Sequence, residues 1–281
     1  FSKCGAMVKT KMKKIEIVAE IGWNHMGNIN LAEKMIKMAS LSGAHYAKFQ
    51  TWQVKNLKNG PWDNDGRRQI YEKAELKKNQ YLILKKICNK YKIKFLTSLF
   101  NPDDYNLISN LNLNTIKIPS PENRNTKLLK LCSEKFKNIY LSTGAAKINE
   151  IKRSYNLLNK NKVTLLHCVS KYPCPDININ LRRIESLKKI NLKAKIGISD
   201  HSPDILSTLF SLPFGVELIE KHFTINNNLP GRDNKFAILP KQLKLLSENV
   251  LRFQKMQIIN KKLTKEEVEV RKVYSGRWTK P

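Results

Sequence analysis

Short apolar runs rich in β-branched residues alternate with helical segments along almost the whole of this sequence. The eight predicted strands span residues 15–19, 45–49, 94–97, 115–118, 138–141, 163–167, 195–198 and 216–219. The segments between them carry apolar residues at helical spacing, as in residues 31–39 and 81–88. Eight β/α units in 281 residues favour a closed (β/α)8 TIM barrel, an α/β fold, over a doubly wound sheet.

Two short segments predict where helices begin. Residues 101–104 (NPDD) combine an N-cap side chain, a proline and acids for the first turn, and residues 202–204 (SPD) repeat the pattern. No linker or repeat interrupts the alternation. We therefore predict a leader at residues 1–14, one catalytic barrel over 15–258, and a basic tail or the start of a linker at 259–281.

The formal net charge of +29 is extreme and comes mostly from lysine. A polyanion partner is one interpretation, because basic surfaces bind nucleic acid or membranes. The other is a lysine-rich composition spread over solvated helix faces, and we favour it because the lysines are scattered without interleaved aromatic residues. We predict no nucleic-acid partner, although such a field would attract a small anionic substrate.

The cysteines and the apolar runs indicate the cellular compartment. The five cysteines contain no Cys-x-x-Cys pair, and an odd number in a long chain argues against a disulfide framework. No apolar run reaches the length of a membrane span, and the first residues lack the apolar centre of a signal peptide. We predict a cytoplasmic protein that does not bind membranes.

Polar residues lie at or just after the carboxyl end of every predicted strand, which is where the active sites of such barrels form. They are Glu20, Lys48, Gln50, Thr97, Ser98, Lys117, Ser120, Glu122, Ser142, Thr143, His167, Ser170, Tyr172, Ser199, Asp200, His201, Glu220, Lys221, His222 and, in the last loop, Asp233. A barrel that served only as a scaffold would not need polar groups at every strand end.

His201 and His222 follow neighbouring predicted strands. Two neutral imidazoles there could converge on one divalent metal ion and leave positions open for water and substrate. The alternative is a pair of unrelated polar strand caps. For His25 and His167 we favour structural roles, and we interpret Cys168 as a buried thiol.

Lys48 and Lys117 lie within apolar runs, where a lysine is costly without an anionic partner. Together with nearby hydroxyl groups they indicate a site for a phosphate or carboxylate. The segment 142–144 (STG) could supply a hydroxyl or simply form a turn. Glu20 and Glu122 could be acid/base groups, hydroxyl binders or partners of the lysines in salt bridges.

In several of these segments the sequence resembles the sialic acid synthase family, the N-acetylneuraminate synthases and other enzymes that make nonulosonic acids. The resemblance is carried by residues 19–27 (AEIGWNHMG), 47–50 (AKFQ), 117–122 (KIPSPE), 141–144 (LSTG), 165–173 (LLHCVSKYP), 199–202 (SDHS) and 219–224 (IEKHFT). These segments run through the whole predicted barrel in the order of the family.

The resemblance implies a metal-dependent condensation of phosphoenolpyruvate with an open-chain N-acylated hexosamine, in a homodimer. Mn²⁺ or Mg²⁺ would be held by His201 and His222. Phosphoenolpyruvate contacts are implied for Lys48, Thr97, Lys117, Ser120, Ser142 and Ser199, sugar contacts for Gln50, Glu122, Tyr172 and Asp233, and a place near the reacting centre for Glu20. Replacing Lys48 or Lys117 by methionine is expected to weaken phosphoenolpyruvate binding without much loss of stability.

The sequence departs from the family pattern on the sugar side, at Lys171, Pro121 and Asn234. The family's small antifreeze-like domain, which brings an arginine into the partner subunit's site, has no counterpart in these 281 residues. That domain could be missing from this sequence, encoded separately or dispensable for another acceptor. Alternative functions are a related condensation with another aldose, or a catalytically silent sugar-binding barrel.

Overall fold

The computed structural model describes residues 14–158, 162–192, 194–258 and 262–278, and within them the chain forms a closed parallel barrel. Each strand pairs with its neighbours in the chain, and the last pairs with the first. The strands are β1 (Glu16–Gly22), β2 (Tyr46–Thr51), β3 (Lys94–Leu99), β4 (Thr115–Ile118), β5 (Asn138–Ser142), β6 (Val163–Cys168), β7 (Lys195–Asp200) and β8 (Leu218–His222). The predicted TIM barrel is confirmed.

Helices surround the barrel and connect its strands. They are α1 (Ile29–Leu41), α2 (Arg67–Ala74), α3 (Lys78–Lys90), α4 (Thr126–Lys135), α5 (Ile148–Leu157), α6 (Asp176–Ile179), α7 (Arg183–Lys188), α8 (Leu206–Ser211), α9 (Pro240–Met256) and α10 (Lys265–Tyr274). Helix α1 begins after Asn28, whose side chain accepts a hydrogen bond from Leu31 N and caps the first turn. Its apolar face packs on the barrel, as the helical spacing predicts.

The strands alternate between two environments, because successive side chains of a strand point to opposite faces. One set packs outward against the helices in the main core. The other set points into the barrel, whose lower part is filled by Val18, Tyr46, Leu96, Tyr140, Leu166 and Leu218. The next inward positions along the strands are polar except for Cys168 of β6, so the barrel carries a largely polar layer directly above an apolar one.

Most strands continue one to three residues beyond their predicted ends. Polar residues such as Glu20 and Glu220, which were predicted to follow strands, are therefore part of them. The strands persist because these side chains find partners inside the barrel, so a polar residue does not mark the end of a strand here.

The two predicted helix starts differ from each other. Asn101 caps a short 3₁₀ helix, Pro102–Leu107, rather than an α-helix. The second start is wrong, because α8 begins only at Leu206. Ser202, the expected cap, instead donates its hydroxyl hydrogen to Asp200.

The segments that flank the barrel are described only in part. The predicted leader lies outside the described residues except for Lys14. Helix α10 forms within the predicted tail and leaves Val268, Val270 and Val273 exposed. Among the described residues, four cysteines are buried and free, and no helix has the length and apolar character that a membrane span requires.

Candidate active site

Two lysines and two glutamates form a buried charge cluster in the polar layer of the barrel. Lys48 Nζ lies 2.9 Å from Glu20 Oε2 and 3.5 Å from Glu220 Oε2. Lys117 Nζ lies 2.7 Å from Glu220 Oε1, which also accepts a 2.8 Å hydrogen bond from Ser199 Oγ. Because a buried charge is costly unless it is paired, each of the four groups depends on the others to remain charged.

Two amide or hydroxyl side chains complete this cluster. Lys48 Nζ donates a 2.9 Å hydrogen bond to Ser98 Oγ, and Gln50 Nε2 donates one of 2.9 Å to Glu20 Oε1. The strand register brings these side chains near one another, because Glu20 pairs with Lys48 across β1 and β2, and Ser98 pairs with Gln50, the next inward residue after Lys48. Both hydrogen bonds are therefore diagonal contacts between neighbouring strands.

The two glutamates of the cluster differ in acidity. Burial raises the pKa of Glu20 and outweighs the opposing effect of Lys48. Burial also acts to raise the pKa of Glu220, but the ammonium groups of Lys117 and Lys48 overcome it and hold that pKa below its usual range. Glu220 is therefore an ionised partner of the lysines, whereas Glu20 is the carboxyl group better able to carry a proton.

His201 directly follows β7 and His222 ends β8, and their ring centroids lie 5.4 Å apart. His201 Nδ1 lies 2.7 Å from Val169 O, so this nitrogen donates its hydrogen and leaves the Nε2 lone pair available. Burial is the largest cause that lowers the pKa of His222 well below its ordinary value, and the positive charge of Lys48 acts in the same direction. A neutral His222 is in the form that binds metal ions.

The donor set tests whether a divalent ion fits these histidines. His222 Nδ1 is buried and has no hydrogen-bond partner among the described residues. In that part of the chain no group of three or more His, Cys, Asp or Glu side chains could hold a metal ion. The pair therefore fits an ion for which the protein supplies two nitrogen ligands and the remaining positions are open to water and substrate.

An aromatic and acidic rim lies beside the histidines. The Tyr172 ring is 4.0 Å from that of His201, and Phe236 packs 5.2 Å from His222 between ring centroids. Asp233 Oδ2 lies 3.5 Å from His222 Nδ1 and accepts a hydrogen bond from Trp23 Nε1. Burial raises the pKa of Asp233 to about 6.

Serine hydroxyls and one glycine line the side of the site formed by β4, β5 and β6. Ser142 Oγ is buried and has no partner among the described residues, so it is available to a ligand. Ser120 Oγ donates to Cys168 Sγ at 3.3 Å and accepts from Gly144 N at 3.1 Å. A side chain at Gly144 would collide with Ser170 Oγ and Ser120 Oγ, at 2.4 and 2.7 Å from an added Cβ.

Some predicted site residues lie elsewhere. Thr97 is on the outward side of β3 and shares a 2.8 Å hydrogen bond with Thr51, so it is not brought into the cluster. Glu122 is only partly buried and accepts a 2.8 Å hydrogen bond from Asn125 Nδ2. His25 accepts from Gly27 N, and His167 Nε2 lies 2.7 Å from Ile179 O, which fits the structural roles predicted for both.

Two residues of the cluster had been given no role from the sequence. Ser98, not Thr97, is the inward side chain of β3, and Glu220 bridges the two lysines. Strand parity could have found Ser98, because it lies two residues after the inward Leu96. The same parity points Glu220 inward, two residues after Leu218, but not its role, because its partners come from β2, β4 and β7.

The three departures on the sugar side are not equivalent. Lys171 and Pro121 are exposed, and Lys171 Nζ donates to Asn178 Oδ1 at 3.0 Å. Asn234 is fully buried, where it accepts from Thr224 Oγ1 and donates to Pro230 O at 2.7 Å. Asn234 thus holds the loop after β8 together.

Comparison with known proteins gives consistent results. The family model described as the NeuB family matches residues 35–262. The N,N'-diacetyllegionaminic acid synthase of Campylobacter jejuni is 39% identical over 263 residues, which cover 87% of this chain and 78% of that protein. The protein of the same name from Legionella pneumophila is 28% identical over 252 residues, covering 83% and 70%.

A solved structure with a similar fold is the N-acetylneuraminic acid (sialic acid) synthetase from Leptospira borgpetersenii, crystallised in complex with citrate. It is 32% identical in sequence, superimposes with a TM-score of 0.84, and the match covers 93% of each chain. The match to the family model begins within α1 and includes β2 to β8, and so the strands that carry Lys48, Lys117, Glu220 and His222.

Proposed function

We propose that this chain, which belongs to the NeuB family and is a carbon–carbon bond-forming synthase, condenses phosphoenolpyruvate with the open-chain aldehyde of an N-acylated amino sugar. The products would be a nonulosonic acid and phosphate. The observation that carries the proposal is the convergence of Lys48 and Lys117, both buried, on the end of the barrel where His201 and His222 lie.

The donor substrate would bind at the lysines. In the structure Glu20 and Glu220 hold the two ammonium groups, so Lys48 and Lys117 are positioned before any ligand arrives. The phosphate and carboxylate groups of phosphoenolpyruvate are anions that such ammonium groups bind well. The hydroxyl of Ser142, which has no partner among the described residues, would add a hydrogen bond, and Ser120 and Ser199 would add others.

In the proposed reaction, C3 of phosphoenolpyruvate attacks the aldehyde carbon, water adds at C2, and the resulting tetrahedral intermediate releases phosphate. Lys48 and Lys117 would stabilise the negative charge on the departing phosphate. Glu20 would exchange a proton at the reacting centre, because its raised pKa suits a group that both accepts and donates one.

His201 and His222 would hold a divalent ion, Mn²⁺ or Mg²⁺. When bound, such an ion polarises a carbonyl group and lowers the pKa of bound water. Val169 O supports this role, because it fixes the His201 tautomer that leaves Nε2 free as a ligand.

The acceptor would bind at the rim, against Tyr172 and Asp233, and would contact Gln50 of the charge cluster and Glu122. Two acceptors are candidates. N-acetylmannosamine would give a sialic acid, and an aldose with two acetamido groups would give a product of the kind named for the Campylobacter jejuni relative. The second is favoured by that relative's 39% identity.

Mass spectrometry of the product tests the proposal. The chain would be incubated with phosphoenolpyruvate, Mn²⁺ and either acceptor, and the proposal predicts a product whose mass is the sum of the acceptor and a pyruvate unit. A reaction that returns both substrates unchanged, with each of these acceptors and with plain mannose, would overturn it.

A further inference from the structure

A second buried ion pair lies outside the charge cluster, on the helix-facing side of the barrel. Lys221 Nζ lies 2.7 Å from Asp200 Oδ2 and donates a 2.6 Å hydrogen bond to Ser202 O. The side chains of Asp200 and Lys221 are almost completely buried. Neither side chain has a role in the proposed chemistry, because the alternation of the strands points both away from the barrel interior.

The Asp200 carboxylate is saturated with hydrogen bonds. It accepts from Ser202 N at 3.1 Å, Ser202 Oγ at 2.6 Å and Ser207 Oγ at 2.5 Å, in addition to Lys221 Nζ. Ser207 belongs to α8, so one carboxylate connects β7, the loop after it, α8 and β8. A buried network in which every polar group has a partner fixes the relative positions of the elements that it joins. A buried ion pair of this kind adds little to the free energy of unfolding compared with two apolar side chains of similar volume.

Residues of this hydrogen-bond network are the direct chain neighbours of both histidines. His201 is the residue between Asp200 and Ser202, and the 3.1 Å bond from Ser202 N to Asp200 Oδ1 closes a tight turn around it. His222 directly follows Lys221. Asp200 also pairs with Lys221 in the register of β7 and β8. The ion pair therefore joins the backbone that carries one imidazole to the backbone that carries the other.

We propose that Asp200 and Lys221 are positioning residues that set the separation and orientation of His201 and His222 for one divalent ion. This inference rests on the metal site of the proposed function. A metal site requires its ligands to be held within about 0.5 Å of the productive geometry. Val169 O orients the His201 ring, and the ion pair fixes the backbone beneath both rings.

Three variants separate positioning from stability. Asp200→Asn keeps an acceptor for Ser202 N but removes the charge, and Lys221→Met removes the ammonium group and leaves Asp200 unpaired. The double variant, Asp200→Asn with Lys221→Met, removes both charges. It leaves no unpaired buried ion and should fold even if Lys221→Met alone does not. Asp104→Asn is the matched control, because it neutralises another buried carboxylate in the 3₁₀ helix Pro102–Leu107, which carries neither histidine.

The readout is Mn²⁺ affinity, measured by the electron paramagnetic resonance signal of free Mn²⁺, together with the visible spectrum of the Co²⁺ form. We expect the folded double variant to bind Mn²⁺ about ten- to a hundred-fold more weakly and to show an altered Co²⁺ spectrum. The Asp104→Asn control should bind as the unmodified chain does. A purely structural role would lower the melting temperature and leave the affinity and the spectrum unchanged.

Two results would overturn the inference. One is a folded double variant with the same Mn²⁺ affinity and Co²⁺ spectrum as the unmodified chain. The other is an unmodified chain whose Mn²⁺ binding is not lost on His201→Ala or His222→Ala. The product assay described above remains a separate test, so failure of the positioning role is distinguishable from failure of the proposed condensation.

Discussion

At the scale of single residues, the buried lysines and glutamates of the site neutralise one another's charges. Lys48 and Lys117 are paired with Glu20 and Glu220 before any substrate is bound, and Glu220 contacts both lysines. This changes an expectation drawn from the sequence, in which either lysine could be replaced by methionine without much loss of stability. The lysines are partners of buried carboxylates, so removing one leaves a buried negative charge uncompensated.

Lys117→Met is therefore expected to affect both binding and stability. The affinity for phosphoenolpyruvate should fall at least about ten-fold, since a hydrogen bond to a charged group contributes roughly 1.5–3 kcal/mol. The free energy of unfolding should fall by about 3–5 kcal/mol, because Glu220 loses its closest cation. Calorimetric titration and urea denaturation measure the two effects.

Lys90→Met is the control for that variant. Lys90 is largely exposed and pairs with Glu33, so its loss should change stability far less than the loss of Lys117 and leave phosphoenolpyruvate binding unaltered. If Lys117→Met were as stable as Lys90→Met, the buried pairing with Glu220 would be incorrect.

The residue scale is also where the sequence was least informative. The identity of polar residues near strand ends was predictable, but the substrate contact that the family resemblance implied for Thr97 falls on the neighbour of the inward side chain, Ser98. Which of the two points inward depends on where the strand begins and on its parity. The role of Glu220 depends on contacts with Lys48 and Lys117, which are remote in sequence and meet only when the barrel closes.

At the scale of elements, the barrel is the part that was predictable. Alternating apolar runs and helical periodicity give all the strands, because buried parallel strands read as continuous apolar segments. The strand ends and the start of α8 were not predictable. For α8 the reason is that Ser202 could either cap a helix or donate a hydrogen bond to Asp200, and only the tertiary structure decides between the two.

The loops after β4, β5 and β6 pack closely around Gly144, which gives a prediction for this group of elements. Gly144→Ala places a methyl group against the hydroxyls of Ser120 and Ser170. We expect the Michaelis constant for phosphoenolpyruvate to rise about ten-fold while that for the acceptor changes little. Gly66→Ala is a useful comparison, because its positive φ strains the backbone but no atom lies within 4 Å of the added Cβ. Equal constants for the two variants would contradict the packing argument.

The loops after β2 and β3 are joined by Asp104, which accepts a 2.8 Å hydrogen bond from Asn56 Nδ2. Burial raises the pKa of Asp104 from 3.8 to about 6. Between these two values the folded chain binds a proton that the unfolded chain has lost, so this group's contribution to stability falls as pH rises from about 4 to 6. Above pH 6 the buried carboxylate is ionised at a cost of up to about 3 kcal/mol.

Asp104→Asn removes that titration and retains an oxygen acceptor for Asn56. Relative to the unmodified chain, the variant should gain up to about 3 kcal/mol of unfolding free energy above pH 6 and almost nothing near pH 4. Urea denaturation of both proteins across this range measures the difference. A difference independent of pH would show that Asp104 does not titrate as stated.

At the scale of the whole molecule, the formal net charge of +29 surrounds a site proposed to bind an anion. Such a field raises the encounter rate of an anionic substrate and is screened by salt. The kcat/KM for phosphoenolpyruvate should therefore fall several-fold between about 0.05 and 0.5 M NaCl, where the screening length shortens from about 14 to 4 Å. The Michaelis constant of a neutral acceptor should stay nearly constant over the same range of salt. If the kinetic constants of both substrates changed equally with salt, electrostatic steering of phosphoenolpyruvate would be contradicted.

Phosphate release from phosphoenolpyruvate, followed in the presence of Mn²⁺ and a panel of aldoses, tests the central claim most directly. The account predicts release that requires an N-acylated amino sugar, stops on addition of a chelator, returns with excess Mn²⁺, and is absent in His201→Ala and His222→Ala variants that remain folded. No release with any aldose would contradict the claim and favour a catalytically silent sugar-binding barrel. Full turnover in a metal-stripped sample would contradict the role given to the histidines.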